Sequence, residues 1–245
     1  MSSSTAAAEH LIDSAYAARR LLVTLALMTL GGASMYVVAV VLPAVQAEFG
    51  VTRADASIPY TLMMLGFGLG GLYMGRWADR SGVHVPLLLG GVGTGLGFIA
   101  ASFSTNIWWL ALAHGLLLGL IGSSTTFAPL VADTSLWWQK RRGIAVAVCA
   151  SGNYVAGALW PPIVQYGIDT IGWRPTYMAL GVVCGLGMLA LSLRMRQRPP
   201  AIQAAAVGAS TMPVDRARPF GLAPGAAMAL LCVAGVACCV AMSMP

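Results

Sequence analysis

The sequence predicts an all-α polytopic membrane protein, and three features carry that prediction: its composition, the length of its uncharged runs and the placement of its basic residues. Of 245 residues, 58% are hydrophobic and only 9% are charged. A water-soluble domain of that balance would have to expose far more apolar surface than water tolerates. A helix needs roughly 20 apolar residues to cross a hydrocarbon layer of about 30 Å. Uncharged runs of that order occur at Leu21–Pro43, Ser57–Gly75, Val85–Phe103, Ile107–Val131, Gly143–Ile168, Thr176–Leu193 and Phe220–Met242. As helices, all of them satisfy their own backbone hydrogen bonds, which lipid requires of any main chain facing it.

The order of these elements sets a topology. Arg19 and Arg20 precede the first run, and Arg76 and Arg80, then Lys140, Arg141 and Arg142, then Arg194, Arg196, Arg198, Arg216 and Arg218 fall in alternate connections. Only Arg53 and Arg174 fall on the other side. Basic segments stay cytoplasmic, so the amino terminus is expected inside. The formal charge of +6 then reflects topology and contact with lipid headgroups, and no nucleic-acid partner is expected. Small residues four apart, as in Gly66 and Gly70, Gly71 and Gly75, Gly91 and Gly95, and Gly181 and Gly185, let membrane helices approach closely.

The first run is longer than a signal-peptide core, and acidic Glu9 and Asp13 stand where a basic leader belongs, so a cleaved leader is rejected. The five cysteines, Cys149, Cys184, Cys232, Cys238 and Cys239, have neither metal-ligand spacing nor a disulfide framework and read as small packing residues. Residues 194–219 are polar, basic and rich in Ala, Ser and Pro, the composition of a flexible linker. The expected organisation is a cytoplasmic tail over 1–20, a six-helix bundle over 21–193, a cytoplasmic linker over 194–219 and, over 220–245, the first helix of a second bundle. Two six-helix bundles joined by an inner linker make a known transporter plan. With its last residue at Pro245, one helix into that second bundle, the sequence reads as a truncated product.

Between the second and third runs stand Gly75, Asp79, Arg80 and Gly82, in the order Gly-x-x-x-Asp-Arg-x-Gly. Gly75 permits close helix contact, Gly82 a sharp turn, and Asp79 places an anion near the membrane surface. This segment resembles the loop motif of the major facilitator superfamily, departing from it at His84 and Val85, where the family carries basic residues. The resemblance implies a conformational switch in which the acid faces the positive end of a helix of the opposite bundle. Trp137, Trp138, Lys140, Arg141, Arg142 and Ala145, continuing to Cys149, Ser151, Gly152 and Gly157, are similar to a run in the monocarboxylate-porter and oxalate/formate-antiporter branch. Lys140, Arg141 and Arg142 also read as a cytoplasmic anchor of helix five. Gly172, Trp173, Arg174 and Tyr177 resemble an element that recurs across the superfamily. The first helix, reading Leu30 to Tyr36, lacks the acidic-Gly-aromatic pattern of eukaryotic monocarboxylate porters, and a bacterial relative, in the inner (plasma) membrane, is the closer fit.

The implied fold is the major facilitator fold, with a complete first bundle, working by alternating access on a small organic anion such as a mono- or dicarboxylate. The resemblance also implies a coupling proton or a counter-transported anion as partner. In this fold helices one, two, four and five line the cavity, which makes Tyr36, His114, Asn153, Tyr154 and Trp160 the polar candidates there. His114 is a conceivable proton carrier or a neutral packing histidine. Asn153 and Trp160, seven residues apart on one helix face, either line the cavity or pack against a neighbour. No acid lies deep inside any of the runs. Multidrug or metabolite efflux by the same superfamily and a non-transporting membrane sensor are the alternatives. An enzyme is not expected, because metal-ligand clusters, a nucleophile elbow and a phosphate loop are all missing. Neither a metal nor a cofactor is implied. Ser123, Ser124, Thr125 and Thr126 have no base or acid to activate them and read as packing or cavity hydroxyls. A retinal-type receptor would need a lysine in the seventh run, which has none.

Overall fold

A computed structural model describes residues 11–197 together with residues 226, 229, 230 and 233. The chain divides into two compact units, Met1–Pro200 and Ala201–Pro245. In the second, the four described residues are helical. The rest of the run at Phe220–Met242, the linker beyond residue 197, and Cys232, Cys238 and Cys239 lie outside the described residues.

The first unit is all helical among the described residues. Its long helices are α1 (Ala15–Phe49), α2 (Ile58–Ser81), α3 (His84–Ser102), α4 (Ile107–Trp137), α5 (Arg142–Ile171) and α6 (Trp173–Ser192). Five of them, all but α2, have the length and hydropathy of membrane spans. α1 packs chiefly on α5, α3 on α6 and on the middle of α4, and α2 on α4. This puts α2 and α5 on the flanks of the bundle. The most apolar window of α5 is only 28% buried, against 61% in α3, so α5 presents most of its surface outward.

Helix ends follow capping chemistry rather than the limits of uncharged sequence. α1 begins at the Ser14 cap, whose Oγ accepts from the N–H groups of Tyr16 and Ala17 at 3.2 and 3.4 Å, and it continues through Pro43 to Gly50 at φ 61°. α2 runs past Gly75 to Ser81 and stops at Gly82, whose φ of 84° favours glycine. The segment with Gly75, Asp79 and Arg80 is therefore helix, not loop, with Gly82 alone as its turn.

α4 is the irregular element. It is α-helical over Ile107–Leu112, π-helical over Ala113–Gly122, 3-10 over Ser123–Thr125, and α-helical again over Ala128–Trp137. Pro129 accounts for the interruption, since it has no N–H for the carbonyl of Thr125 and its ring crowds that group. Ser123, Ser124, Thr125 and Thr126 add hydroxyl donors to the carbonyls of Leu118, Leu120, Gly122 and Ser123 at 2.6–2.8 Å, back-bonding of a kind that bends helices.

Gly66 and Gly70 lie where α2 crosses α4, and a Cβ at either would overlap the carbonyl oxygen of Gly115 or of Leu120. At Gly68 and Gly71, on the open side of the same helix, a Cβ would meet nothing within 4 Å. Gly66→Val or Gly70→Val is expected to lower stability by about 1–3 kcal/mol through overpacking. Gly68→Ala should leave it unchanged or slightly raised, as thermal unfolding of the purified protein in detergent will read.

Candidate functional site

The seam between α1 and α5 gathers most of the expected cavity residues. Gly32 allows the approach, for a Cβ there would lie 2.7 Å from that of Ala156. Asn153 Nδ2 reaches Tyr36 Oη at 3.4 Å, and Gly157 makes room for the Tyr36 ring. The phenols of Tyr154 and Tyr60, the latter on α2, lie within electrostatic reach of Tyr36. Tyr154 is 62% exposed, while Tyr36, Tyr60 and Asn153 are half-buried. The seam of α1 and α5 thus brings a hydroxyl and an amide together, with the α2 phenol in electrostatic reach. No charged residue stands on α1 between Arg20 and Glu48, on α2 before Arg76, or on α5 between Arg142 and Asp169. This region can donate and accept hydrogen bonds but cannot balance a charge.

Trp160 and His114 are placed differently. Trp160 is buried, and its indole N–H donates to the carbonyl of Thr29 at 2.7 Å. A buried indole needs an acceptor, and this one finds it on α1. His114, expected on the cavity, lies inside the bundle against α6. Its Nδ1 donates to the carbonyl of Leu110 at 2.8 Å, which leaves Nε2 to accept from the Tyr177 hydroxyl at 3.2 Å. Both nitrogens of a neutral ring are thereby satisfied by neutral partners.

Two ion pairs close the two ends of the bundle. At one end Arg20 Nε and Nη2 donate to Asp133 Oδ2 and Oδ1, both at 3.0 Å, with side-chain exposures of 3% and 6%. The guanidinium carbon lies 4.7 Å from the centre of the Trp137 ring, and Tyr16 packs on the same indole at 5.4 Å. Beside this pair Asp13, in a left-handed conformation at φ 53°, turns its carboxylate onto the N–H groups of Gln139 and Lys140 at 3.3 and 3.1 Å. Lys140, Arg141 and Arg142 stand exposed just beyond, and Arg142 also donates to Ser135 Oγ at 3.1 Å.

At the opposite end Glu48 accepts from Arg174 Nε and Nη2 at 3.0 and 2.7 Å and from the indole N–H of Trp173. Arg174 Nη1 donates to the carbonyl of Ser102 at 2.7 Å. One guanidinium therefore joins the ends of α1 and α3 to the start of α6. Asp79, Arg76 and Arg80 are exposed at the end of α2, and Asp79 makes no hydrogen bond or ion pair among the described residues. Among those residues no group of three or more His, Cys, Asp or Glu side chains is placed to hold a metal ion.

The sequence profile of the Major Facilitator Superfamily matches residues 22–245. The chain belongs to that superfamily. It is a multi-pass membrane protein of a family of small-solute transporters. Among its relatives, the membrane sensor protein UhpC of Salmonella typhimurium is 30% identical over 167 residues, which is 68% of this chain and 37% of the relative. The uncharacterized MFS-type transporter YcxA of Bacillus subtilis is 27% identical over 159 residues, 65% of this chain and 39% of the relative. Human monocarboxylate transporter 11 is 32% identical over 128 residues, 51% of this chain and 27% of the relative. The chain thus spans between 27% and 39% of the length of these relatives.

Within this facilitator bundle the Arg20–Asp133 pair is the feature that reading the sequence missed. Arg20 counted as a flanking charge and Asp133 as lying past the fourth run, whereas both are buried inside helices. The available signal was an acid in the last turns of α4 at the end where the basic residues gather. Removing one member of a buried pair strands the other, so Asp133→Asn should destabilise the bundle by about 3–5 kcal/mol. The apolar double variant Arg20→Met with Asp133→Leu should recover most of that loss. Glu48→Ala, whose ion pair is 35–40% exposed, should cost only about 1 kcal/mol. Unfolding of each variant in detergent gives the ranking.

Proposed function

We propose that this bundle is the first half of a secondary transporter that works by alternating access on a small organic anion, a mono- or dicarboxylate. The observation that carries the reading is the meeting of Tyr36 and Asn153 between α1 and α5, with the phenols of Tyr60 and Tyr154 within electrostatic reach, in a region otherwise apolar and uncharged. Neutral donors of this kind hydrogen-bond carboxylate oxygens without the desolvation penalty of a membrane-embedded charge. The monocarboxylate transporter among the relatives supports the same solute class. The amino terminus is cytoplasmic in this reading, on the distribution of Lys and Arg, and the membrane is a bacterial plasma membrane. Asp79, exposed and unpaired at the end of α2, fits a switch residue whose partner belongs to a second bundle. Coupling uses a proton or a counter-transported anion.

Uptake of labelled mono- and dicarboxylates into proteoliposomes, with and without a pH gradient, tests the proposal. Tyr36→Phe is expected to weaken apparent affinity about tenfold, the value of one good hydrogen bond, and Asp79→Asn to lower the rate with little change in affinity. A correctly inserted protein that moves no carboxylate would turn the reading toward efflux of other solutes or toward sensing.

A further inference from the structure

The end of α4 is set off from the rest of that helix by a break in its geometry. Mid-helix 3-10 geometry often marks a hinge or a strained stretch, and here it occupies Ser123–Thr125, with α-helix resuming only at Ala128. The hydroxyls of Ser123, Ser124, Thr125 and Thr126 all bond back to carbonyls of the preceding turn, a pattern that bends helices. Beyond the break, Ala128–Trp137 is fastened to the start of α1 by Arg20–Asp133 and by Asp13, whose N–H donates to the carbonyl of Trp137 at 3.2 Å.

We propose that Ala128–Trp137 is a gate helix that swings on the Ser123–Phe127 break, and that the Arg20–Asp133 pair is the latch holding it against α1. Arg20 supplies an independent sign. Its Nη1 is buried without an acceptor among the described residues, although every guanidinium N–H seeks one. Opening gives that donor access to water, which offsets part of the loss of the pair and brings the closed and open arrangements nearer in free energy. Leu130, on the gate, belongs to the same buried cluster as Cys149 of α5, whose Sγ lies 3.8 Å from Met28 Sδ. Opening therefore uncovers Cys149. Cys184, buried in the cluster at the Glu48 end, stays covered. Gate motion and solute flux fail separately, since thiol labelling is read whether or not a solute moves.

The test is the rate of N-ethylmaleimide labelling of the full chain in lipid nanodiscs, read by mass spectrometry. One protein keeps Cys149 as its sole cysteine and a companion keeps Cys184. Asp133→Asn is expected to speed labelling of Cys149 by about tenfold or more, as a local opening would, and to leave Cys184 unchanged. The exchange Arg20→Asp with Asp133→Arg is expected to bring the Cys149 rate back toward that of the unsubstituted pair. The latch is overturned if Asp133→Asn leaves the Cys149 rate as it was, or if Cys184 speeds up in parallel, which would mean general loosening. An exchanged pair that labels as fast as Asp133→Asn also overturns it, because the effect would then belong to the acid and not to the pair.

Discussion

Helices in lipid gain little by hiding apolar side chains from one another, so this bundle depends on how closely its backbones approach. Where α2 meets α4, the hydrogen of Gly66 faces the carbonyl of Gly115 and that of Gly70 faces Leu120. The same device joins α3 to α6, where Gly95 meets Gly181 and Gly185, and brings Thr126 of α4 against Gly31 of α1. Such contacts bring dispersion and oriented dipoles within range but set the register of two long helices only loosely. The polar links at the two ends supply that register. Arg20 with Asp133 aligns α1 and α4, and Arg174 with Glu48 and Ser102 aligns α6 with α1 and α3.

The distribution of polar groups follows from the same solvent. Deep in the bundle every described polar contact is between neutral groups: Ser34 with Ser123 at 2.6 Å, His114 with Tyr177, Thr29 with Gly152 at 3.2 Å and Asn153 with Tyr36. Charges stand at the ends, and the fully buried pair among them is held by two parallel hydrogen bonds and an aromatic face. An isolated charge in hydrocarbon is too costly to keep, while a hydroxyl or amide needs only one good partner. The tyrosine and asparagine cluster is thus the polarity that the outward-facing middle of the bundle carries without compensation by a counter-ion.

The helices themselves were legible because lipid demands long apolar runs, and all six runs up to Leu193 became helices. Their ends were not, because the absence of charge is a poor ruler. Ser14, Gly50, Gly82 and Gly172 set boundaries through caps and left-handed turns. Counting uncharged residues cut α1 short of Arg20 and α4 short of Asp133, and so separated two charges that neutralise each other. The broken course of α4 had a visible cause in Pro129 and the hydroxyl run before it, but its π-helical portion has no signature in the residue pattern. Among the candidate cavity residues, Tyr36, Asn153 and Tyr154 come together, whereas His114 and Trp160 are drawn inward by partners on distant helices, Tyr177 and Thr29. No local spacing reports such partners.

The ten residues of Ala128–Trp137 make an arm about 15 Å long at 1.5 Å per residue. A tilt of about 15° at its root would carry its tip sideways by about 4 Å on that length. A hydrogen bond weakens steeply beyond about 3.5 Å, so a rotation small enough to leave the glycine contacts of the upper helix undisturbed is already large enough to sever the grip at the far end. Leverage, rather than wholesale repacking, then decides how much of the molecule must move.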